Sequence, residues 1–126
     1  MKIIRGINLP YIHASHEDPQ NPGSWKKVLL SHGEFPKGKV MMVNWAKIEK
    51  GREFRSHFHE DMDELFIIIK GTAKISVAKE KESLATGDAV LIAQGAIHRM
   101  ENTGLGELLY LAIGISRERG GKTIVV

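Results

Sequence analysis

From Val28 onward the chain is a succession of short β-favouring runs broken by turn residues, and no segment holds a helical period for a useful length. VLL at 28–30 comes first, then KVMMVNWAKI at 39–48, which ends at the turn residues Glu49 to Gly51. FRSHFH (54–59), ELFIII (64–69) and AKISV (73–77) follow, the last alternating Ala73, Ile75 and Val77 with Lys74 and Ser76. AVLIA (89–93) lies between Gly87 and Gly95, and IHRM (97–100) and LLYLAIGIS (108–116) complete the series. About eight to eleven short strands at this spacing predict an all-β sandwich or barrel.

Residues 1–24 read as an N-terminal arm and loop, because Tyr11 to Ser24 is polar and carries Pro19 and Pro22. Residues 25–126 read as one barrel domain, and a chain of 126 residues with 42% hydrophobic content can bury a core of that size. Leu109, Leu111 and Ile113 alternate with Leu108, Tyr110 and Ala112, so the last long strand is apolar on both faces. Such a strand is central between two layers or covered by a second subunit, and a homodimer is expected.

Charge and composition exclude several functions. The net charge of +3 is mild and its cations are scattered, which argues against a nucleic-acid partner and is compatible with a small anionic ligand. The chain has no cysteine, so disulfides, thiolate nucleophiles and sulfur-ligated zinc are excluded, leaving His, Asp and Glu as strong metal ligands. Arg5, Asn8 and Pro10 interrupt the apolar residues of the N-terminus, and no run is long enough to span a bilayer. A cytoplasmic protein without a membrane partner is the expectation.

The stretch HFHEDMDELFIIIKG (57–71) carries the chemistry. On a helix His57 and His59 point to different faces, but on a strand they share one, with Cα atoms roughly 6.6 Å apart. The isoleucines at 67–69 favour the strand. Four residues separate His59 from Glu64, which suits a hairpin that returns Glu64 opposite the histidines, with Phe66 and Ile68 following on the same inward face. Two histidines and a glutamate alone fit either a metal site or a surface pair with an ion-pair partner.

The longer pattern separates these. Gly51, His57, His59, Glu64 and Gly71 stand at the spacing of the first motif of the cupin superfamily, which the chain resembles over about Val40 to Ile115. Gly87, Gly95, His98 and Asn102 follow the second motif, with Ala93 where the family usually has proline. Proline there fixes φ and supplies no ligand, so the departure touches only the stiffness of the turn before His98. The resemblance implies a double-stranded β-helix, a jelly-roll barrel, with one divalent metal held by His57, His59, Glu64 and His98. Three imidazoles and a carboxylate suit Mn²⁺, Fe²⁺, Ni²⁺, Zn²⁺ or Cu²⁺.

Four further residues are candidates for a substrate pocket: Arg55, which shares parity with the histidines; Phe66; Asn44; and Met100, which shares parity with His98 and is expected to pack against the cavity wall. His13, His16 and His32 match no motif position and read as surface residues. Ligand sets of this type in the superfamily resemble those of dioxygenases, sugar isomerases and oxalate decarboxylases. The expected function is therefore metal-dependent catalysis on a small oxygenated metabolite such as a sugar, keto acid or enediol. The alternative is a non-enzymatic barrel that senses or carries a small ligand.

Overall fold

The computed structural model describes residues 2–34, 38–116 and 122–126. Two antiparallel sheets face each other, as the alternation of apolar and polar residues requires. Eleven strands are present among the described residues: β1 (Ile12–His13), β2 (Trp25–Leu30), β3 (Val40–Ile48), β4 (His57–His59), β5 (Asp63–Lys70), β6 (Thr72–Val77), β7 (Glu80–Ala85), β8 (Ala89–Ile92), β9 (His98–Asn102), β10 (Leu108–Ile115) and β11 (Thr123–Val125). One sheet has the order β1-β2-β3-β10-β5-β8 and the other β11-β4-β9-β6-β7. No helix among the described residues is long and apolar enough to cross a membrane.

Period-two burial sets the faces. Along β10, Leu108, Tyr110 and Ala112 are buried while Leu109, Leu111 and Ile113 are half-buried on the other side, and the strand sits between β3 and β5. Ile48, Phe54, Phe66, Ile68, Ile75, Ile92, Met100 and Leu108 fill the space between the sheets. Each large apolar side chain removed from water there contributes about 1.5–3 kcal/mol. Among the described residues the charged strand β7 pairs only with β6, and its Glu80, Lys81 and Glu82 keep that sheet edge solvated.

The expected hairpin between His59 and Glu64 does not form. β4 pairs with β11 and β9, whereas β5 pairs with β10 and β8, so the link from Glu60 to Met62 crosses from one sheet to the other. Met62 is buried in this crossing. The apolar run that follows is the reason: Phe66 and Ile68 need the interior between β10 and β8, and β4 is too short to shield them. Glu64 therefore meets the histidines across the barrel, not beside them on a ribbon.

The arm also departs from a simple surface loop. Ile12 and His13 pair with Lys26 and Trp25, extending the six-stranded sheet, and Ala14 and Glu17 are buried.

Candidate metal centre

His57 and His59 leave β4 toward the interior, and His98, the first residue of β9, is registered directly against His57. Glu64 enters from the opposite sheet. One donor atom from each of these four buried residues lies within 4.8 Å of the others. Glu64 Oε1 is 3.2 Å from His59 Nε2 and 3.2 Å from His98 Nε2.

The outer nitrogens are fixed by neighbours. His57 Nδ1 donates to the Arg55 carbonyl at 2.7 Å, and His98 Nδ1 donates to the Ala96 carbonyl at 2.9 Å, since a carbonyl oxygen can only accept. His59 Nδ1 is 3.0 Å from Thr123 Oγ1. With Nδ1 protonated, Nε2 turns a lone pair inward. In His98 that lone pair faces a carboxylate oxygen, an arrangement that calls for a cation or a proton between them. The donor set thus fits a divalent transition metal, which these four residues can hold.

Electrostatics keep the ligands in binding form. Burial, then the His16 and His98 rings, lower the His57 imidazole to about 3, so it stays neutral. Burial alone would raise the Glu64 carboxyl, but the His59 and His98 rings beside it prevail and hold it at about 2. The turn before His98 keeps its shape without proline: Gly95 has φ +81°, where a side chain would be strained, and its N–H donates to the His59 carbonyl at 2.7 Å. This bond ties the two motifs together. Asn102 serves the scaffold, its Nδ2 donating to the Ile48 and Gly106 carbonyls and its Oδ1 accepting from the Gly104 N–H.

Glu64 and His59 line one side of a cavity of about 370 Å³. Met41, Met42, Ala46, Met62, Phe66 and Ala112 make most of its wall apolar, and Asn44, Tyr110, His16 and Lys26 contribute polar groups. Burial, reinforced by Glu64, pushes the Tyr110 phenol above its ordinary value and keeps its proton in place.

Of the four expected pocket residues, Phe66 and Asn44 line this cavity. Met100 is fully buried in the core, opposite Ile75, and is absent from the cavity lining. Arg55 is exposed and lines a separate surface groove with Glu17 and Arg52. The parity argument fails for Arg55 because the extended pairing of β4 begins only at His57. Its backbone is what serves the site, its N–H donating to Glu17 Oε2 at 2.9 Å and its carbonyl accepting from His57.

His16 is a correction of another kind. Its ring stacks on His57 at 3.9 Å between centroids, and its Nδ1 donates to the buried Glu17 Oε2 at 2.7 Å. Burial raises the Glu17 carboxyl, but bonds from His16, Arg55 and Gly23 outweigh that and lower it overall. His16, Glu17, Lys26 and Thr123 all bear on the site and were missed in the sequence, because they lie outside the motif spacing. The pairing of HE at 16–17 inside a polar loop was the only local signal. His13 is half-buried beside β2, and the His32 side chain lies outside the described residues.

A family model described as a cupin domain matches residues 44–114. The chain belongs to the cupin family. It is 35% identical over 69 residues to an uncharacterized protein of Aquifex aeolicus, a match covering 55% of this cupin and 55% of that protein. It is 25% identical over 76 residues to the mannose-1-phosphate guanylyltransferase RfbM of Salmonella typhimurium, covering 60% of this chain and 16% of the enzyme. The cupin therefore spans only part of the length of these curated relatives. A crystal structure of a Thermotoga maritima protein, described as a predicted oxalate decarboxylase, superposes with a TM-score of 0.80 at 23% identity, covering 91% of this chain and 99% of that one. At that identity the likeness shows the fold alone.

Proposed function

We propose that this cupin is a metal-dependent enzyme acting on a small oxygenated metabolite, by oxidative cleavage, isomerisation or decarboxylation. The observation that carries the reading is that Glu64 and His59 belong both to the four-residue cluster and to the lining of an open cavity. A purely structural ion would need no such access. When bound, a divalent ion would supply Lewis acidity to substrate oxygens.

The chain's own residues do the rest. His57, His59, Glu64 and His98 orient the centre, and the carbonyls of Arg55 and Ala96 fix two of the rings. Phe66, Ala112, Met41 and Met62 exclude water from one wall, which strengthens every charge interaction within it. Burial, with the Glu64 charge, holds the proton on Tyr110, which presents a neutral hydroxyl to the cavity.

Metal-by-metal reconstitution with Mn²⁺, Fe²⁺, Ni²⁺, Zn²⁺ and Cu²⁺ tests this reading, followed by a screen of sugars, diketones and keto acids with oxygen consumption monitored. Close to one ion per chain and turnover with at least one substrate class are expected. Turnover without oxygen use would assign isomerase or redox-neutral decarboxylase chemistry. Metal uptake with ligand binding but no turnover would assign a binding module instead.

A further inference from the structure

The polar side of the cavity comes from residues with no place in either motif. Lys26 on β2 is registered against Ala46, which is registered against Tyr110 and so shares the inward face of the six-stranded sheet. Its ammonium donates to Ser15 Oγ at 2.8 Å, and both residues line the cavity. No carboxylate among the described residues forms an ion pair with it. The neighbouring Lys27 points the other way, to the Gly6 carbonyl and the Tyr11 ring. Asn44 in the same lining directs its amide nitrogen at Met42 Sδ and leaves its buried oxygen without a donor.

We propose that Lys26, positioned by Ser15, is the substrate-recognition residue of this cavity and selects a small molecule bearing a carboxylate. The proposal rests on the metal-centre reading for what the rest of the substrate meets, but its own basis is the unpaired cation. Lys26 lines the same cavity as Ala46, Met42 and Phe66, and its ammonium, held at the solvent-exposed bond to Ser15, gains from an anion delivered by the ligand. Burial already lowers the Lys26 ammonium below its ordinary value, with Glu64 acting in the opposite direction. One lysine matches the single charge of a carboxylate. A phosphate monoester carries about −1.5 to −2 at neutral pH and would be left partly uncompensated.

The experiment is calorimetric titration of wild type, Lys26→Gln and Lys26→Arg with glycolate, pyruvate, ethylene glycol and glycerol 3-phosphate, on metal-loaded and metal-free protein, with metal content measured in parallel. Glycolate should bind the wild type at millimolar concentration or below, and roughly ten-fold or more weakly to Lys26→Gln, with Lys26→Arg retaining most of the affinity. Metal content should be equal in all three. Ethylene glycol binding as well as glycolate, or glycolate binding unchanged in Lys26→Gln, would overturn the proposal. Preference for glycerol 3-phosphate would also overturn it and assign a phosphate subsite. Absence of metal in every variant would instead sink the metal-centre reading, and the Lys26 dependence would then be read from the metal-free titrations.

Discussion

His16 lies flat against His57, with ring centroids 3.9 Å apart and planes 16° from parallel, while its Nδ1 donates to Glu17 Oε2 at 2.7 Å. His57 is thus held by Arg55 at one edge and by a second imidazole on one face. Removing a group that orients a metal ligand typically costs 10–100-fold in affinity. His16→Ala should therefore weaken metal retention by roughly ten-fold, whereas His57→Ala or His98→Ala should abolish it. His13→Ala should leave metal retention unchanged, because the His13 ring bonds to the neighbouring Ala14 carbonyl and, among the described residues, to none of the four ligands. Competition against a chelator of known affinity measures all four, and equal losses at all four positions would contradict the assignment.

Gly23 supports the same assembly from behind. Its N–H donates to Glu17 Oε1 at 2.6 Å, and a Cβ at this position would run into the Glu53 carbonyl and come within 2.8 Å of that carboxylate oxygen. Backbone cannot step aside as a flexible side chain can, so Gly23→Ala should destabilise the protein by about 1–3 kcal/mol. It should also loosen Glu17 and, through it, His16. Urea unfolding reads the first effect and chelator competition the second; an unchanged unfolding midpoint would refute the packing argument.

The motif residues were legible in the sequence because their spacing follows strand period. His57 and His59 share a face for that reason, and His98 is registered against His57 as the second motif implies. The partner of Glu64 was misread, since a four-residue gap fits a hairpin and a crossing between sheets equally well. Only the demand of Phe66 and Ile68 for a buried strand decides between them, and that is a property of the whole barrel. The strand β7 was missed because EKESLA has no apolar alternation, as expected of an edge. Lys26 escaped notice because WKKVLL gives no sign of which lysine faces in; the register of Lys26 against Ala46 supplies it.

The outer face of the six-stranded sheet motivates a prediction about assembly. Leu111 lies between Trp45 and Ile67, and Ile113 between Val43 and Leu65, forming two apolar rows, with Leu91 64% exposed at their edge. A patch of this kind suits an isologous contact with a second copy of the chain. Light scattering should give twice the chain mass of 14.0 kDa, and Leu111→Glu should give the single mass with the metal content unchanged. A monomeric wild type at micromolar concentration would remove the expected homodimer.

Acid should destabilise the metal-free protein earlier than carboxylate protonation alone would. His57 has an ordinary value of 6.5 and is lowered to about 3 in the folded state, by burial first and then by His16 and His98. Between those values the unfolded chain binds a proton at this residue and the folded chain does not, so stability falls as the pH drops from 6.5 toward 3. At pH 5 the cost from His57 alone is on the order of 2 kcal/mol. Burial raises the Glu64 carboxyl, but the His59 and His98 rings beside it lower it overall from 4.5 to about 2, which adds a loss of the same sign between those values. Urea midpoints of metal-free wild type should therefore fall from pH 7 to pH 5, and more gently in His57→Gln, which has no imidazole to protonate. Parallel pH dependences in the two proteins would show that the folded state does not hold His57 in its neutral form.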